Sequence, residues 1–281
     1  ISRRNIKRAG TRYNKRGVDQ DGNVANNVET EQLFFRSNES NSPIYTYVQT
    51  RGSIPLYWSQ KVDINYAPKP RLSNFEAAEV KFDVQLNCAD SDSQKAAFKR
   101  HIDAQQELYG PNVIVCLVNH HGSEGGMHDE YSKHMNELYH DLLTSTAFLN
   151  MPYSLPLTRD CRFVGWDFHK QTKGMKFENL SKLLGEVQTD LNNQGYDITV
   201  AFTDIQLTVA QVLLQQDKPK QNGTVRTNCM DNLDRTNVAQ GVFAGYVLAE
   251  QLRKEGLLQA NENIKDHPAF NHIFMNGVPI W

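Results

Sequence analysis

Cysteine is scarce and scattered. Cys88, Cys116, Cys161 and Cys229 are the 4 cysteines of a 281-residue chain, and no Cys-x2-Cys pair occurs. That spacing excludes a disulfide-dense scaffold and a zinc ribbon and favours a reducing compartment. Long apolar runs are missing too. No stretch approaches the roughly 18 apolar residues of a membrane-spanning helix, and no signal-peptide pattern opens the chain. Nor is there an excess of one charge: 30 Lys and Arg stand against 32 Asp and Glu, a net charge of −2. Nucleic acid is therefore not an expected partner, and attraction to phosphate or to an anionic membrane must come from local clusters. One such cluster is Arg3, Arg4, Lys7, Arg8, Arg12, Lys15 and Arg16, which could help attract an anionic membrane, though a run of this kind is more often a solvated face or an interdomain contact. His120, His121, His128, His134 and His140 match no zinc spacing and are expected in a loop and on a solvated helix, so no metal is expected. The chain opens without Met and ends on Val278-Pro279-Ile280-Trp281, which suggests a piece of something longer.

What is present suffices for a core: 39% hydrophobic residues, with 13 Phe, 11 Tyr and 3 Trp. Periodicity predicts strands over Val28–Phe35 and Ile44–Thr50, joined by the polar stretch 36–43 as a hairpin, and extended chain over Gly52–Trp58. Asn65–Asn74 reads as a linker. Helical spacing covers Ser91–Tyr109, and the continuous apolar run Asn112–Asn119 is that of a buried strand. A loop is expected over His120–Gly126, a helix over Asp129–Leu149, a strand over Cys161–Phe168, and a helix over Asn179–Gln194 closed by Gly195. After a polar loop, Gln215–Gly223, come an extended piece, Thr224–Thr227, and a helix from Asn237 to Arg253. The alternation predicts an α/β fold, a central mixed sheet flanked by helices.

Between the last strand and the last helix lies Cys229-Met230-Asp231-Asn232-Leu233-Asp234-Arg235-Thr236. Five residues separate Cys from Arg, which lets a loop curl around one phosphate with its amides and the helix N-terminus pointing inward. Arg235 can grip two phosphate oxygens. The same field favours the Cys229 thiolate, which attacks phosphorus in line and forms a phosphocysteine. Thr236 can hydrogen-bond the sulfur. No cofactor is needed, because dipoles and arginine meet the charge. Met230, Asn232, Leu233 and Thr236 are the remaining candidate substrate-binding positions. Asp234 and Asp231 are candidates for the acid that protonates the leaving oxygen, with Asp167 a third from outside the loop.

Cys-x5-Arg by itself is a weak signal. The longer string Arg226-Thr227-Asn228-Cys229-Met230-Asp231-Asn232-Leu233-Asp234-Arg235-Thr236-Asn237 resembles the signature of the suppressor-of-actin (Sac) phosphoinositide phosphatases. So do Arg8–Tyr13, Asn26–Gln32, Gln49–Pro55, Trp58-Ser59-Gln60 and Asp167-Phe168-His169, in family order along nearly the whole chain. The resemblance is nearest to the endoplasmic reticulum and Golgi members. It implies hydrolysis of a phosphate monoester on the inositol ring, foremost of phosphatidylinositol 4-phosphate, at the cytosolic face of those membranes, with the anchor outside this chain. It further implies that residues 1–281 are the catalytic part of a Sac domain whose N-terminal subdomain and C-terminal region lie elsewhere, and that regulatory protein partners exist. Asn232 departs from the family pattern, which has a second Cys there. The loop contains no Lys and two Asp, which suits a singly phosphorylated ring. Two rival functions share the motif. One is a protein tyrosine or dual-specificity phosphatase; the other is a catalytically silent phosphoinositide-binding module.

Overall fold

Every residue of the strand Asn112–Cys116 (β6) is buried, because helices cover both of its faces. Val113 and Val115, continued by Leu117, point into one apolar cluster; Ile114 and Cys116, continued by Val118, point into another. This is the buried parallel strand expected from a continuous apolar run. The computed structural model describes residues 1–9, 15–36, 42–60, 69–72, 91–144, 161–200 and 220–264. Cys88 and the hairpin tip at 37–41 lie outside them, as do most of the expected linker and the end of the Asp129–Leu149 helix.

In chain order the other elements are β1 (Ser2–Arg4), β2 (Val28–Phe34), β3 (Pro43–Arg51), β4 (Trp58–Gln60), β5 (Pro70–Leu72), α1 (Ser91–Tyr109), α2 (Gly125–Thr144), β7 (Cys161–Gly165), α3 (Phe168–Gln171), α4 (Leu180–Gln194), β8 (Asp197–Val200), β9 (Thr224–Asn228) and α5 (Asp234–Lys254). Among the described residues the main sheet has seven strands, running β1-β2-β3-β9-β6-β7 with β8 added on β3. Its β1-β2-β3 portion is antiparallel, and β9, β6 and β7 are parallel. Two strands share the remaining edge of β3: β8 pairs antiparallel with Pro43–Thr46, and β9 joins in parallel at Thr50 and Arg51. The sheet is mixed and flanked by helices. The α4 and α5 helices bury Leu183, Val187, Leu191, Ala239, Phe243 and Val247 on one face, and α1 and α2 bury Phe98, Ile102, Met127, Tyr131 and Met135 on the other.

The parallel strands matter most for the site, since their C-terminal ends open at one edge and the Cys229 loop leaves from there. Three boundaries differ from the sequence reading. Phe168 opens a helix instead of closing a strand, because the Asp167 carboxylate accepts the Lys170 amide at 2.9 Å and caps α3. The α2 helix begins at Gly125, its first turn closing on the Glu124 carbonyl through Met127 and His128, although Gly125-Gly126 reads locally as loop. The α5 helix begins at Asp234, so Arg235 and Thr236 are already in its first turn. Pro70–Leu72, inside the expected linker, pairs with Trp58–Gln60.

The residues Arg226 and Asn228 of the long motif hold β9 in place. The Arg226 guanidinium is fully buried and donates to Asn27 Oδ1 at 2.9 Å and Gln105 Oε1 at 3.1 Å. Burial pushes its pKa down to about 10, with Tyr131 and Tyr109 opposing. Gly52 makes room for it: a Cβ there would stand 2.4 Å from Arg226 Nη2. Asn228 accepts from the Tyr131 hydroxyl at 3.0 Å and donates to the Gly52 carbonyl at 2.6 Å. These buried polar side chains tie β9 to β3, α1 and α2, and so fix the point from which the loop departs.

Candidate active site

Cys229 is buried at the end of β9. Its sulfur accepts the Asn232 amide at 3.2 Å and the Thr236 hydroxyl at 3.0 Å. Both donors point at the sulfur from within the loop and the first turn of α5. The loop closes on itself through Asn232, whose side-chain oxygen accepts the Cys229 amide at 3.1 Å. Asn232 has φ of 54°, a left-handed conformation that Asn adopts more readily than most residues. The residue that departs from the family string thus serves as the loop's internal clasp. Burial pushes the thiols of Cys116 and Cys161 up to about 12, so neither is a nucleophile at neutral pH.

The first amides of α5, from Asp234 onward, lack intrahelical acceptors, as in any helix. Leu233 occupies the N-cap and supplies no side-chain cap, which leaves the helix terminus open to an anion. Arg235 projects from the first turn. Its Nη1 and Nη2 donate to Glu124 Oε2 and Oε1 at 2.8 and 2.7 Å, and Nη1 also reaches the Leu117 carbonyl at 3.2 Å. Burial works against the Arg235 charge, but Glu124 outweighs it, helped by Cys229 and Asp231, and its pKa rises. Glu124 in turn accepts the Asn119 amide at 2.7 Å. The carboxylate holds the guanidinium end-on, and the Nε edge makes no hydrogen bond among the described residues. Sequence reasoning missed Glu124; it stands in a Gly-rich loop with no local pattern, 111 residues from its partner.

A second arginine flanks the sulfur. Arg51, at the end of β3, donates to Asn237 Oδ1 of α5. Burial lowers its pKa, with the Cys229 charge pulling the other way. Asp231 pairs with Arg16, whose buried guanidinium also donates to Gln60 Oε1 at 2.8 Å and lies 5.5 Å over the Trp58 ring. Asp234 is exposed at the head of α5. Met230 turns its side chain into the α1–α2 core, Thr236 is fully buried, and Leu233 is 40% exposed. Asp167 is the α3 cap and also accepts the His120 amide at 3.1 Å. Burial pushes its carboxyl up, but those two amides, with His120 and His121, outweigh it and hold it below the ordinary carboxylate value. An ionised helix cap is a poor proton donor.

Several members of the N-terminal basic cluster have partners within the protein, although Arg3, Arg4 and Lys7 stay exposed. Arg3 binds Glu29 and Glu31, Arg4 binds Asn26, and Arg8 donates to the Gly17 and Arg16 carbonyls. Arg12 lies outside the described residues. Among the described residues no group of three His, Cys, Asp or Glu side chains is placed to hold a metal ion, and no helix is long and apolar enough to cross a membrane. His120 stacks on His128 with ring centroids 3.8 Å apart. A cavity of about 370 Å³ lined by Glu29, Tyr109, Asp197 and Gln221 lies where β6 and β9 begin, at the edge away from Cys229.

A family model described as the SacI homology domain matches residues 1–173, which ends before the Cys229 loop. Individual relatives extend across it. Phosphatidylinositol-3-phosphatase SAC1-B of Danio rerio is 33% identical over 99% of this chain and 39% of its own length. Phosphatidylinositol-3-phosphatase SAC1 of Saccharomyces cerevisiae is 33% identical over 95% of the chain and 36% of its own length. Phosphatidylinositide phosphatase SAC2 of Homo sapiens is 38% identical over 92% of the chain and 18% of its own length. The chain spans about two fifths or less of these relatives. With a family match over more than half its length, this chain belongs to the SacI homology domain family.

Proposed function

We propose that this chain carries the catalytic centre of a phosphatase that hydrolyses the phosphate monoester on the inositol ring of a phosphoinositide, through a phosphocysteine at Cys229. The observation that carries this reading is the convergence on one sulfur. A hydroxyl at 3.0 Å and an amide at 3.2 Å point at Cys229 Sγ, at the uncapped N-terminus of α5. Arg235 stands beside it, fixed by Glu124.

The chemistry follows from those positions. The phosphate enters the loop, where the first α5 amides and the Nε edge of Arg235 take its oxygens. The thiolate attacks phosphorus, the S–P bond forms, the P–O bond to the ring breaks, and the leaving oxygen takes a proton from a carboxylic acid. Of the two loop candidates, Asp231 is held in an ion pair with Arg16, which suits a scaffold. Asp234, exposed and with no ion pair among the described residues, is assigned the proton. Its carboxylate then takes a proton from water, the water attacks phosphorus, and inorganic phosphate and thiolate leave. The Thr236 hydroxyl stabilises the sulfur in both steps.

A loop with one arginine, two aspartates and no lysine favours a singly phosphorylated ring, since further phosphates meet like charge. Phosphatidylinositol 4-phosphate is the expected substrate, on membranes of the endoplasmic reticulum and Golgi at their cytosolic face. The names of the SAC1 relatives point to the 3-phosphate instead. Phosphate release from a panel of water-soluble, short-chain phosphoinositides tests both, with Cys229→Ser as control. The 4-phosphate is expected to show the highest kcat/KM. Faster hydrolysis of the 3-phosphate would move the assigned position, and a bisphosphate outrunning every monophosphate would refute the single-phosphate preference.

A further inference from the structure

The α3–α4 turn presents an apolar side chain where none is needed for folding. Met175 is 81% exposed and has φ of 61°. The left-handed region is unfavourable for a non-Gly residue, and Met175 belongs to neither of the clusters packed against the sheet. Phe177, two residues on, is 46% exposed. The turn is held in shape by hydrogen bonds from Thr172 Oγ1 to the Phe168 carbonyl at 2.8 Å, from Asn179 Nδ2 to the Gln171 carbonyl at 2.7 Å, and from the Phe177 amide to the Met175 carbonyl at 2.8 Å. A strained, well-braced apolar tip that touches little of its own protein is built for an external contact.

Its surroundings identify the contact. Lys170, Lys173, Lys176 and Lys182 are all exposed, and none makes a side-chain hydrogen bond or ion pair among the described residues. They contrast with Arg3, Arg4, Arg8 and Arg16, which are engaged within the protein. Apolar tips ringed by unneutralised lysines match an anionic bilayer, with apolar groups entering at headgroup depth and cations facing lipid phosphates.

The tip is also at the right edge. Because β7 runs parallel to β6 and β9, the α3–α4 turn emerges on the edge that carries the Cys229 loop. The link is direct: His169 Nδ1 meets Asn119 Oδ1 at 2.8 Å, the Asn119 amide donates to Glu124, and Glu124 holds Arg235. Leu233, on the loop itself, adds a further exposed apolar group.

We infer that the α3–α4 turn, with Met175 and Phe177 inserted and Lys170, Lys173, Lys176 and Lys182 around them, is the surface that docks this protein on an anionic lipid bilayer and aims the Cys229 loop at its headgroups. The inference rests on the phosphoinositide reading for its purpose, and its test separates the two. Sedimentation with phosphatidylcholine vesicles, with and without phosphatidylserine, is measured for the native chain, Met175→Ser and the double variant Lys173→Gln/Lys176→Gln. The same proteins are assayed on the short-chain soluble substrate, and thermal melting confirms folding. The native chain is expected to partition onto phosphatidylserine vesicles. Met175→Ser should weaken this roughly ten-fold and the lysine pair roughly 30-fold, while turnover of soluble substrate stays at the native rate. Unchanged vesicle binding in both variants would overturn the inference, as would a parallel loss of soluble turnover. A native chain that ignores phosphatidylserine vesicles would also overturn it and make an acidic protein the occupant. Native vesicle binding that both variants weaken, without soluble turnover by any of them, would leave the docking surface standing and sink the phosphatase reading.

Discussion

Thr236 donates to the Cys229 sulfur from inside the first turn of α5, where its backbone cannot move without the helix. A hydrogen bond to a charged group is worth about 1.5–3 kcal/mol. Thr236→Ala should therefore lower kcat roughly ten- to hundred-fold and slow alkylation of Cys229 by iodoacetamide at neutral pH. Native kinetics in that variant would remove Thr236 from the site. Glu124 acts one step further out, on the site through Arg235. Glu124→Ala should cost on the order of a hundred-fold in kcat/KM, as expected when a clamp is mispositioned by about 1 Å. Glu124→Gln, which can keep one of the two bonds, should recover part of it; equal losses in both variants would argue for a merely structural role. At this scale the sequence is legible where chemistry is contiguous. Cys229, Asp231, Asp234, Arg235 and Thr236 are within one loop and turn, so their spacing shows in the chain. Glu124, Arg16 and Arg51 reach the same place from 111, 215 and about 180 residues away, and no local pattern marks them. Arg226 was legible as part of the motif but not in its role, since it is buried under the sheet and serves packing.

Elements are set by short-range signals that the sequence mostly displays. The α1 helix spans the Ser91–Tyr109 read from periodicity, and α4 closes at Gly195, whose φ of 67° suits a residue without Cβ. Boundaries moved where a side chain acts as a cap. Asp167 ends the reach of β7 by capping α3, and its two accepted amides also pin the His120 turn beside Glu124. Asp167→Ala should lower stability by about 0.5–2 kcal/mol for the cap alone, read as a shift in the urea midpoint. Because folding holds this carboxyl below its ordinary value, the contribution is present at neutral pH and fades as pH falls through the folded value. The gap between native and Asp167→Ala should close in acid, and a gap that persists there would contradict an ionised cap.

The whole molecule is a three-layer arrangement in which helices hide several histidines. Burial lowers the pKa of His101, assisted by the Arg226 charge, and likewise lowers His120 and His134. The unfolded chain takes up protons at these rings near the ordinary value of 6.5, and the folded chain resists. Stability is therefore expected to fall as pH drops below about 6.5. The His101 ring bonds the Gly22 carbonyl at 2.9 Å through Nδ1, and its Nε2 is buried without a partner among the described residues. His101→Gln should narrow the difference between urea midpoints at neutral and acid pH; an unchanged difference would mean that His101 is protonated in the fold. The mixed α/β sheet was legible because strand-like and helix-like segments alternate along the chain around the continuously apolar β6, although β9 (Thr224–Asn228) is mostly polar. The order in which β8 and β9 share one edge of β3 was not, since strand pairing over such sequence distances leaves no local trace.

The most direct test of the account is to trap the covalent intermediate. The protein is mixed with a soluble phosphoinositide monophosphate labelled on its ring phosphate and quenched in acid, and the label on the protein is counted. The account predicts label on the native chain at Cys229, and none on Cys229→Ser, which should also release no phosphate. Phosphate release that survives Cys229→Ser, or label mapped to any other residue, would contradict it.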